Sequence, residues 1–527
     1  MTTGAIPETK LIAMPEFCNK ALFFTFSILL ISFCQPSSIR SATAAVDESL
    51  IKDEIQEIGP QRPFLVRNNE VAQFREAYHK KFGEHPVSVA MTGENTVFLM
   101  TESQAKSPEL ATVKIVSAGK RPPFVFFDPS YAARLGKGYT SIDDLISGYK
   151  DAGLNELLLA GIVRAHPDMA RLHIIGTTAM GRNILALEMH NFKVKEKKIP
   201  VLFTCAMHAN ELTATEHCYS IIHSILSDSA TYAELLDHVS LWIIPIANPD
   251  GSHLFWHYST AMGRKNGRRA ASQPATSLMS GIDLNRNFPF RWNSGHPKAS
   301  SGDPNSVYYR GSAPASEAET QAIMQLAERE RFVSAISFHA VSGKILIPYT
   351  IENVKNPNPD YASALARELV PITRPHNRKR GFRAVKNIYP VDGTDQDFLY
   401  FQYGTLAYII ESSYRNCEYQ YVHYYLEGYQ PLWNAFIRDY ERNLKFALKI
   451  TNVNGEPLQA EVQFSDLRQF ESEKHTSNPR DGTFIRLTKA AAIVEVTVSA
   501  PGYRTARARL RPQGTGYPAF FPITLQE

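Results

Sequence analysis

The chain has 527 residues, of which 44% are hydrophobic, 11% aromatic and 20% charged, a composition typical of a globular protein long enough for several domains. A formal net charge of +4 at pH 7 is too mild to predict a nucleic-acid partner. We therefore exclude nucleic-acid binding from the expected functions.

The first recognisable segment is an apolar run over residues 21–34. It is shorter than the roughly 20 residues that a membrane-spanning helix needs, so it is typical of a signal-peptide core. Ala42-Thr-Ala44 offers a cleavage site between small residues. We predict a signal peptide over residues 1–44, a secreted or periplasmic protein, and no stable membrane span after cleavage. Met14 as the true start and lipid attachment at Cys34 are alternatives.

Residues 45–138 contain strand-like runs at 87–91, 96–100 and 111–116. Glu94-Asn95, between the first two runs, is typical of a hairpin connection. Nothing in this segment looks catalytic. Two interpretations fit it, an inhibitory pro-segment and a small accessory β domain.

A candidate metal site begins at His208-Ala-Asn-Glu211 and is completed by His339. Two imidazoles and one carboxylate form a ligand set that zinc hydrolases use while leaving one position open for water. The apolar run over residues 199–207 predicts a buried strand, and residues 213–226 carry apolar positions at helical spacing. His208 and Glu211 should therefore lie where a central strand gives way to a helix, at the carboxyl end of a sheet.

Further motifs follow in a fixed order along the chain. They are Asn248-Pro-Asp-Gly251, Gly263-Arg-Lys-Asn266, Gly281-Ile-Asp-Leu-Asn-Arg-Asn-Phe-Pro289, Ser316-Glu-Ala-Glu319, Ser337-Phe-His339, Tyr389-Pro-Val-Asp-Gly-Thr-Asp-Gln-Asp-Phe398 and Ile409-Ile-Glu-Ser412. This series resembles the zinc metallocarboxypeptidases over residues 139–443. It is closest to the regulatory branch that includes carboxypeptidases D, E, M and N, which has HGNE where this chain has His208-Ala-Asn-Glu211.

The resemblance implies an α/β catalytic domain over residues 139–443, with a carboxypeptidase-type mixed β-sheet flanked by helices. Pro-segments are typical of the pancreatic branch rather than the regulatory one, so we favour the accessory domain for residues 45–138. After residue 443, alternating apolar positions and turn signals predict a small β-sandwich over residues 444–527. This segment resembles the transthyretin-like domain that follows the catalytic domain in the regulatory branch.

The resemblance also implies that His208, Glu211 and His339 bind one Zn²⁺ per catalytic domain, with water in the fourth position. A base must still accept the proton of that water. Glu411 is our candidate because it follows the apolar run 406–410, which would carry it to the end of another buried strand. The alternative for Glu411 is a residue that only caps the next helix.

Recognition of a chain end requires a group that holds a free carboxylate, and a planar guanidinium does so with two parallel hydrogen bonds. By resemblance, Arg286 with Asn285 anchors the terminal carboxylate. Arg264 stabilises the oxyanion that forms on the attacked carbonyl. Tyr389 resembles the mobile tyrosine that closes over bound substrate.

The pocket for the terminal side chain departs from the family pattern. The branch that removes Lys or Arg has an aspartate at the position of Thr350, and the pancreatic type that cuts basic ends has an aspartate at the position of Gln396. Because a buried ammonium without a partner is strongly unfavourable, we predict an uncharged polar pocket that disfavours basic residues. Glu352 or Asp392 could supply a charge only by swinging in.

The expected function is that of a zinc-dependent metallocarboxypeptidase, a monomer that hydrolyses the C-terminal peptide bond of a peptide or protein with a free carboxylate. One alternative is an amidase acting on cell-wall peptides or other acyl-amino acids. Another is a catalytically silent relative that only binds peptide ends. Such a relative would normally have lost a ligand or the base, and here these positions are all filled.

Three cysteines lie beyond the leader, namely Cys205, Cys218 and Cys417. An odd number without tight spacing argues against a disulfide framework. We therefore expect Cys205 and Cys218 to be buried apolar residues, with a bridge from Cys417 to either as the alternative.

Overall fold

The computed structural model describes residues 62–83, 86–91, 95–117, 128, 130–134, 136–257, 263–268, 280–340, 342–375, 381–413 and 416–527. The predicted signal peptide, residues 1–44, lies outside the described residues. Among the helices in the described ranges, none is both long and apolar enough to cross a membrane.

The amino-terminal part is a four-stranded antiparallel sheet of order β2-β3-β1-β4 with helices. Its elements are β1 Arg62–Arg67, α1 Val71–Phe82, β2 Val87–Met91, β3 Asn95–Met100, α2 Glu102–Ala105 and β4 Ile115–Ser117. The two strands predicted first are confirmed, whereas the run at 111–116 forms a strand only from Ile115 onward. Glu94, in the predicted hairpin connection, lies outside the described residues. Phe74 of α1 packs on Phe98 of β3, with ring centroids 4.6 Å apart.

The middle of the chain forms an eight-stranded mixed sheet of order β11-β10-β12-β9-β7-β8-β6-β5. Its strands are β5 Ala170–Thr177, β6 Asn183–Met189, β7 Ile199–Cys205, β8 Val239–Ile244, β9 Ser334–His339, β10 Lys344–Leu346, β11 Arg383–Val385 and β12 Leu406–Glu411. The four central strands, β12, β9, β7 and β8, are mutually parallel. Every residue of β7, β8 and β9 is buried, as expected for strands covered on both faces.

Helices flank this sheet, and most of them bury their apolar faces against it. They are α3 Tyr131–Arg134, α4 Ala152–Ala165, α5 Leu212–Ser227, α6 Ser229–His238, α7 Pro249–His257, α8 Ala318–Glu330, α9 Tyr361–Leu369, α10 Asp395–Tyr403, α11 Val422–Ile437 and α12 Asp439–Arg442. Helix α5 confirms the helix predicted over residues 213–226. Its side chains join those of the central strands in one continuous hydrophobic core. The expected mixed sheet with flanking helices is therefore present.

The carboxyl-terminal part contains two three-stranded sheets, of order β15-β13-β18 and β14-β16-β17. The strands are β13 Leu444–Asn452, β14 Glu461–Phe464, β15 Thr483–Thr488, β16 Val494–Ser499, β17 Ala506–Leu510 and β18 Phe521–Leu525. Side chains from both sheets share one core, in which the Phe446 and Phe464 rings lie 5.0 Å apart. The predicted β-rich carboxyl-terminal segment is thus present as two packed sheets.

The cysteine prediction was wrong. Cys205 and Cys218 form a disulfide, with Cα atoms 6.4 Å apart, whereas Cys417 is free and buried. Cys205 ends β7, and Cys218 lies in α5, which packs on that strand. The pairing follows from this strand–helix contact, which a count of cysteines does not reveal. The alternative bridge to Cys417 is excluded by the same bond.

Candidate metal centre and substrate site

The candidate site lies at the carboxyl edge of the central parallel strands. His208 and Glu211 lie between the end of β7 and the start of α5, and His339 is the last residue of β9. Glu411 is the last residue of β12 and is paired in register with His339 on the adjacent strand. Three neighbouring strands therefore deliver these four side chains to one edge of the sheet.

His208, Glu211 and His339 converge on one point. The Nδ1 atom of His208 lies 3.0 Å from Oε1 of Glu211, and the Nδ1 atom of His339 lies 3.1 Å from Oε2 of Glu211. The two Nδ1 atoms are 3.2 Å apart. All three residues are buried, and their candidate ligand atoms lie within 4.8 Å of one another. Two imidazole nitrogens and a carboxylate fit a zinc site that keeps a further position open.

The charge of Glu211 matches that use, and the charges around His208 are those of a buried ion cluster. Burial raises the pKa of Glu211, but the His208 and His339 imidazoles outweigh it and hold the pKa well below the usual range. Glu211 is therefore a carboxylate, the form that binds metal. Burial and Arg264 lower the pKa of His208, whereas the carboxylates of Glu211 and Asp283 outweigh them and raise it.

Asp283 connects two parts of the site, a role that the sequence analysis did not assign. Its Oδ1 atom lies 2.9 Å from Nε2 of His208. Its Oδ2 atom accepts from Nε and Nη2 of Arg264 at 3.1 and 2.6 Å. A carboxylate on Nε2 fixes that nitrogen as the protonated one and leaves Nδ1 as a lone-pair donor to a metal. The motif Gly281–Pro289 contained Asp283, but its contact with His208 exists only in the fold.

Arg264 borders the metal cluster, and Arg286 lies nearby with contacts to Asp283 and Tyr389. Nη1 of Arg264 lies 3.4 Å from Nδ1 of His208 and 3.9 Å from Oε1 of Glu211. Nη2 of Arg286 donates to the Tyr389 hydroxyl at 3.1 Å, and its Nε donates to the Ala299 carbonyl at 3.0 Å. The structure thus brings the Tyr389 hydroxyl to the Arg286 guanidinium.

Asn285 and Glu411 complete the polar part of the site. The side-chain oxygen of Asn285 accepts from the backbone N–H of Asp395 at 3.0 Å, so α10 fixes the orientation of this amide. The Oε2 atom of Glu411 is buried and has no hydrogen-bond partner among the described residues. Burial and the neighbouring Glu211 carboxylate raise the pKa of Glu411 well above its usual range. Such an environment gives the Glu411 carboxylate a high affinity for a proton, which suits a group that accepts one from water.

Thr350 and Gln396 are both buried, at about one hundredth exposure. The Thr350 hydroxyl donates to Oδ2 of Asp397 at 2.8 Å, and burial raises the pKa of Asp397 to about 7. Neither amide atom of Gln396 has a hydrogen-bond partner among the described residues.

The two carboxylates that could have supplied a charge have partners of their own. Asp392 accepts from the backbone N–H and hydroxyl of Ser294 at 2.9 and 2.7 Å. Glu352 is exposed and lies 3.5 Å from the His296 imidazole.

Residues 156–444 match the family model described as zinc carboxypeptidase. Among similar proteins, human mast cell carboxypeptidase A is 29% identical over 243 residues, which are 45% of this chain and 56% of that protein. A zinc carboxypeptidase of Saccharothrix mutabilis subsp. capreolus is 34% identical over 172 residues, covering 32% of this chain and 37% of that protein. The chain thus spans little more than half the length of the first relative and little more than a third of the second.

The fold is similar to a solved structure of thrombin activatable fibrinolysis inhibitor, with a TM-score of 0.56 and 18% identity. The match covers 72% of this chain and 99% of that chain. At this level of identity the similarity concerns the fold alone. Carboxypeptidases of the A and B types are among the similar proteins, so closeness to the regulatory branch stays a prediction.

Proposed function

The chain belongs to the zinc carboxypeptidase family, and on that premise we propose that it is a zinc-dependent metallocarboxypeptidase that hydrolyses the C-terminal peptide bond. The observation that carries the proposal is the convergence of His208, Glu211 and His339 beside the buried carboxyl group of Glu411. The substrate is a peptide or protein with a free C-terminal carboxylate, and the enzyme acts as a monomer.

Zinc would be held by Nδ1 of His208, Nδ1 of His339 and the Glu211 carboxylate, and when bound it lowers the pKa of water and polarises the scissile carbonyl. Glu411 accepts a proton from the attacking water and returns it to the leaving amine as the C–N bond breaks. Arg264, oriented by its two hydrogen bonds to Asp283, donates to the oxygen that becomes negative.

Substrate is oriented by the second arginine. Arg286 pairs with the terminal carboxylate, because its planar guanidinium matches the two carboxylate oxygens. Asn285 binds the same carboxylate, and Tyr389, already hydrogen-bonded to Arg286, closes over it. Anchoring the α-carboxylate in this way places the last peptide bond of the substrate beside the metal site. The enzyme is therefore an exopeptidase.

We further propose that the pocket around Thr350 and Gln396 takes uncharged side chains and disfavours Lys and Arg. The Thr350 hydroxyl is hydrogen-bonded to Asp397, and the Gln396 amide carries no charge. The pKa of about 7 for Asp397 means that this carboxyl group offers only a partial negative charge near neutral pH. A substrate ammonium buried here would lack a full counter-charge.

Export to a secreted or periplasmic location is part of the proposal, with residues 1–44 as signal peptide. The Cys205–Cys218 disulfide supports it, because such bonds persist in oxidising compartments. We also propose that residues 45–138 form an accessory domain, 139–443 the catalytic domain and 444–527 a transthyretin-like domain. Activity confined to the cytosol with residues 21–34 still attached would refute export.

The test is amino-acid release from blocked dipeptides that differ only in the last residue, D-residues included, by zinc-loaded protein and by its Glu411→Gln variant. We expect wild type to release uncharged L-residues faster than Lys or Arg. The variant should bind zinc in the same ratio but lose about 10²–10⁴-fold in rate, the range for loss of a general base.

The alternatives give different results in the same assay. Release of D-residues, or cleavage of acyl-amino acids only, would favour the amidase. No release from any substrate by zinc-loaded wild type would favour the catalytically silent relative. Fastest release of C-terminal Lys would contradict the pocket assignment while leaving the carboxypeptidase class intact.

A further inference from the structure

We propose that Tyr308 is a positioning residue of the substrate site, whose ring covers the guanidinium groups of both Arg264 and Arg286 and so strengthens binding of the terminal carboxylate. The inference rests on the proposed function and deepens it. No motif in the sequence pointed to Tyr308, since it lies between Gly281–Pro289 and Ser316–Glu319.

The geometry places one aromatic ring within contact distance of two cations. The Tyr308 ring centroid lies 5.3 Å from Cζ of Arg264 and 5.5 Å from Cζ of Arg286, both within the range of a cation–π contact. The Tyr389 ring is 6.2 Å away, centroid to centroid. Tyr308 is 38% exposed, so its side chain is partly open to solvent while its ring contacts both arginines.

The loop that carries Tyr308 is fixed by residues of the site itself. Nζ of Lys265 donates to the carbonyls of Pro304 and Ser306 at 2.8 and 2.9 Å. The backbone N–H of Asp283 donates to the Tyr309 carbonyl at 2.8 Å. Lys265, which follows Arg264 in the chain, and Asp283, which binds Arg264, both hold this loop in place. The position of the Tyr308 ring is therefore coupled to the positions of both arginines.

A ring in this place has a specific physical effect. It excludes water from the guanidinium groups and lowers the local dielectric constant, which strengthens a charge-assisted hydrogen bond to an incoming carboxylate. The effect requires a negative charge on the substrate. A peptide that ends in a neutral amide should therefore gain nothing from Tyr308.

The experiment measures binding of two non-cleavable peptides to zinc-loaded protein by calorimetry. Both carry a ketomethylene group in place of the scissile amide, and they differ only in ending as a free acid or as an amide. The proteins are wild type, Tyr308→Ala, Tyr308→Phe and, as a control for loss of an exposed tyrosine ring elsewhere, Tyr421→Ala.

We expect Tyr308→Ala to weaken acid binding about tenfold, in keeping with loss of a partly desolvated cation–π contact. Amide binding should be unchanged, and Tyr308→Phe, which keeps the ring, should bind the acid within about twofold of wild type. Tyr421→Ala should match wild type for both peptides. A general loss of folding would weaken both peptides alike, so the acid–amide difference separates positioning from structure.

Three results would overturn the role of Tyr308. They are an unchanged acid affinity in Tyr308→Ala, an equal loss for acid and amide, and a Tyr308→Phe variant as weak as Tyr308→Ala. If wild type itself binds acid and amide equally, the proposed exopeptidase function fails as well. If wild type discriminates and Tyr308→Ala discriminates equally, only the role of Tyr308 fails.

Discussion

At the scale of single residues, Asp283 has the widest influence on the site. One buried carboxylate hydrogen-bonds a metal-ligand candidate, His208, and the proposed oxyanion donor, Arg264. Burial raises the pKa of Asp283, but Arg264, His208 and Arg286 together outweigh it and hold the pKa well below its usual range, so the group is ionised. Asp283 therefore supplies the negative charge that balances several buried cations.

Asp283→Asn should weaken zinc binding, because an amide no longer fixes the protonated nitrogen of His208 and leaves Arg264 without its counter-charge. We expect zinc affinity to fall about 10–100-fold, the usual range for such an outer-shell partner. Competition with a chelating dye measures it. Asp168→Asn, at an exposed ion pair with Lys193, is the control and should bind zinc like wild type. Unchanged affinity in Asp283→Asn would show that His208 keeps its orientation without this carboxylate.

The buried imidazole of His217 makes the free energy of unfolding depend on pH. Its imidazole is fully buried between Phe338 and Tyr429, and burial lowers its pKa to about 3. Between that value and the unfolded value of 6.5, the unfolded chain binds a proton that the folded chain does not. His217 therefore lowers the free energy of unfolding as pH falls through this window, and has no such effect above it.

His217→Phe should remove the part of the stability loss at low pH that comes from this imidazole. We expect the variant to gain stability over wild type as pH falls from 7 to 4, by up to about 1.4 kcal/mol per pH unit below the unfolded pKa. Thermal unfolding at pH 5 and pH 8 compares the two proteins, and other titrating groups cancel in the difference. A gain for His217→Phe that is equal at both pH values would contradict the argument.

The sequence predicts a site residue when its position follows from a pattern of neighbouring residues, and not when it depends on contacts between distant loops. His208, Glu211 and Glu411 could be proposed because each lies at or near the end of a run of apolar residues, and central strands end at one edge of a sheet. His339 could be proposed because it completes the ligand set and stands in the ordered series of motifs. Asp283 and Tyr308 could not, because their contacts join loops that are distant in sequence. The same holds for the bond between Thr350 and Asp397.

At the scale of secondary structure, the unit formed by β7 and α5 holds two of the metal-ligand candidates. The apolar run predicted the strand, and the helical spacing predicted the helix. The disulfide was missed because it depends on how the helix packs on the strand rather than on either pattern. Its two cysteines, 13 residues apart, enclose both His208 and Glu211 in one short covalent loop.

Replacing both Cys205 and Cys218 by Ala should destabilise the zinc-free protein by about 3 kcal/mol, the loop-entropy value for a closed loop of this size. The effect should be smaller with zinc bound, since a metal held by His208 and Glu211 constrains the same loop. Thermal unfolding with and without zinc measures both. Cys417→Ala leaves the disulfide intact and should not show this dependence on zinc. An equal loss in both states would mean that disulfide and metal act independently.

At the scale of the whole molecule, the carboxyl-terminal sheets are bonded to the central sheet region at several points. The Tyr349 hydroxyl donates to Glu473 at 3.0 Å, and Asn358 and Arg468 exchange backbone hydrogen bonds of 2.9 and 2.8 Å. The side chain of Asn478 donates to the Arg329 carbonyl at 3.0 Å. The sequence predicted the strands of this segment, but contacts between separate segments carry no periodic signal. We therefore expect the segment to stabilise the region that carries the site without supplying chemistry to it.

The contact between α10 and the carboxyl-terminal sheets can be tested by adding a single Cβ atom at Gly404. It ends α10 in the left-handed conformation at φ +71°, and a Cβ built there would lie 2.9 Å from the buried ring of His475. Gly83 ends α1 at the same φ of +71°, with nothing within 4 Å of its Cβ position. Alanine at either position incurs the backbone strain of about 1–2 kcal/mol, but only Gly404→Ala also forces His475 to move. We expect Gly404→Ala to cost about 1–3 kcal/mol more than Gly83→Ala, as overpacking of a close-packed contact does.

Denaturant unfolding of the two variants beside wild type measures the difference. Equal losses would mean that His475 can shift freely and that the carboxyl-terminal sheets are only loosely joined to α10. A larger loss in Gly404→Ala, together with weaker zinc-dependent activity, would mean that this interface supports the strands that carry His339 and Glu411.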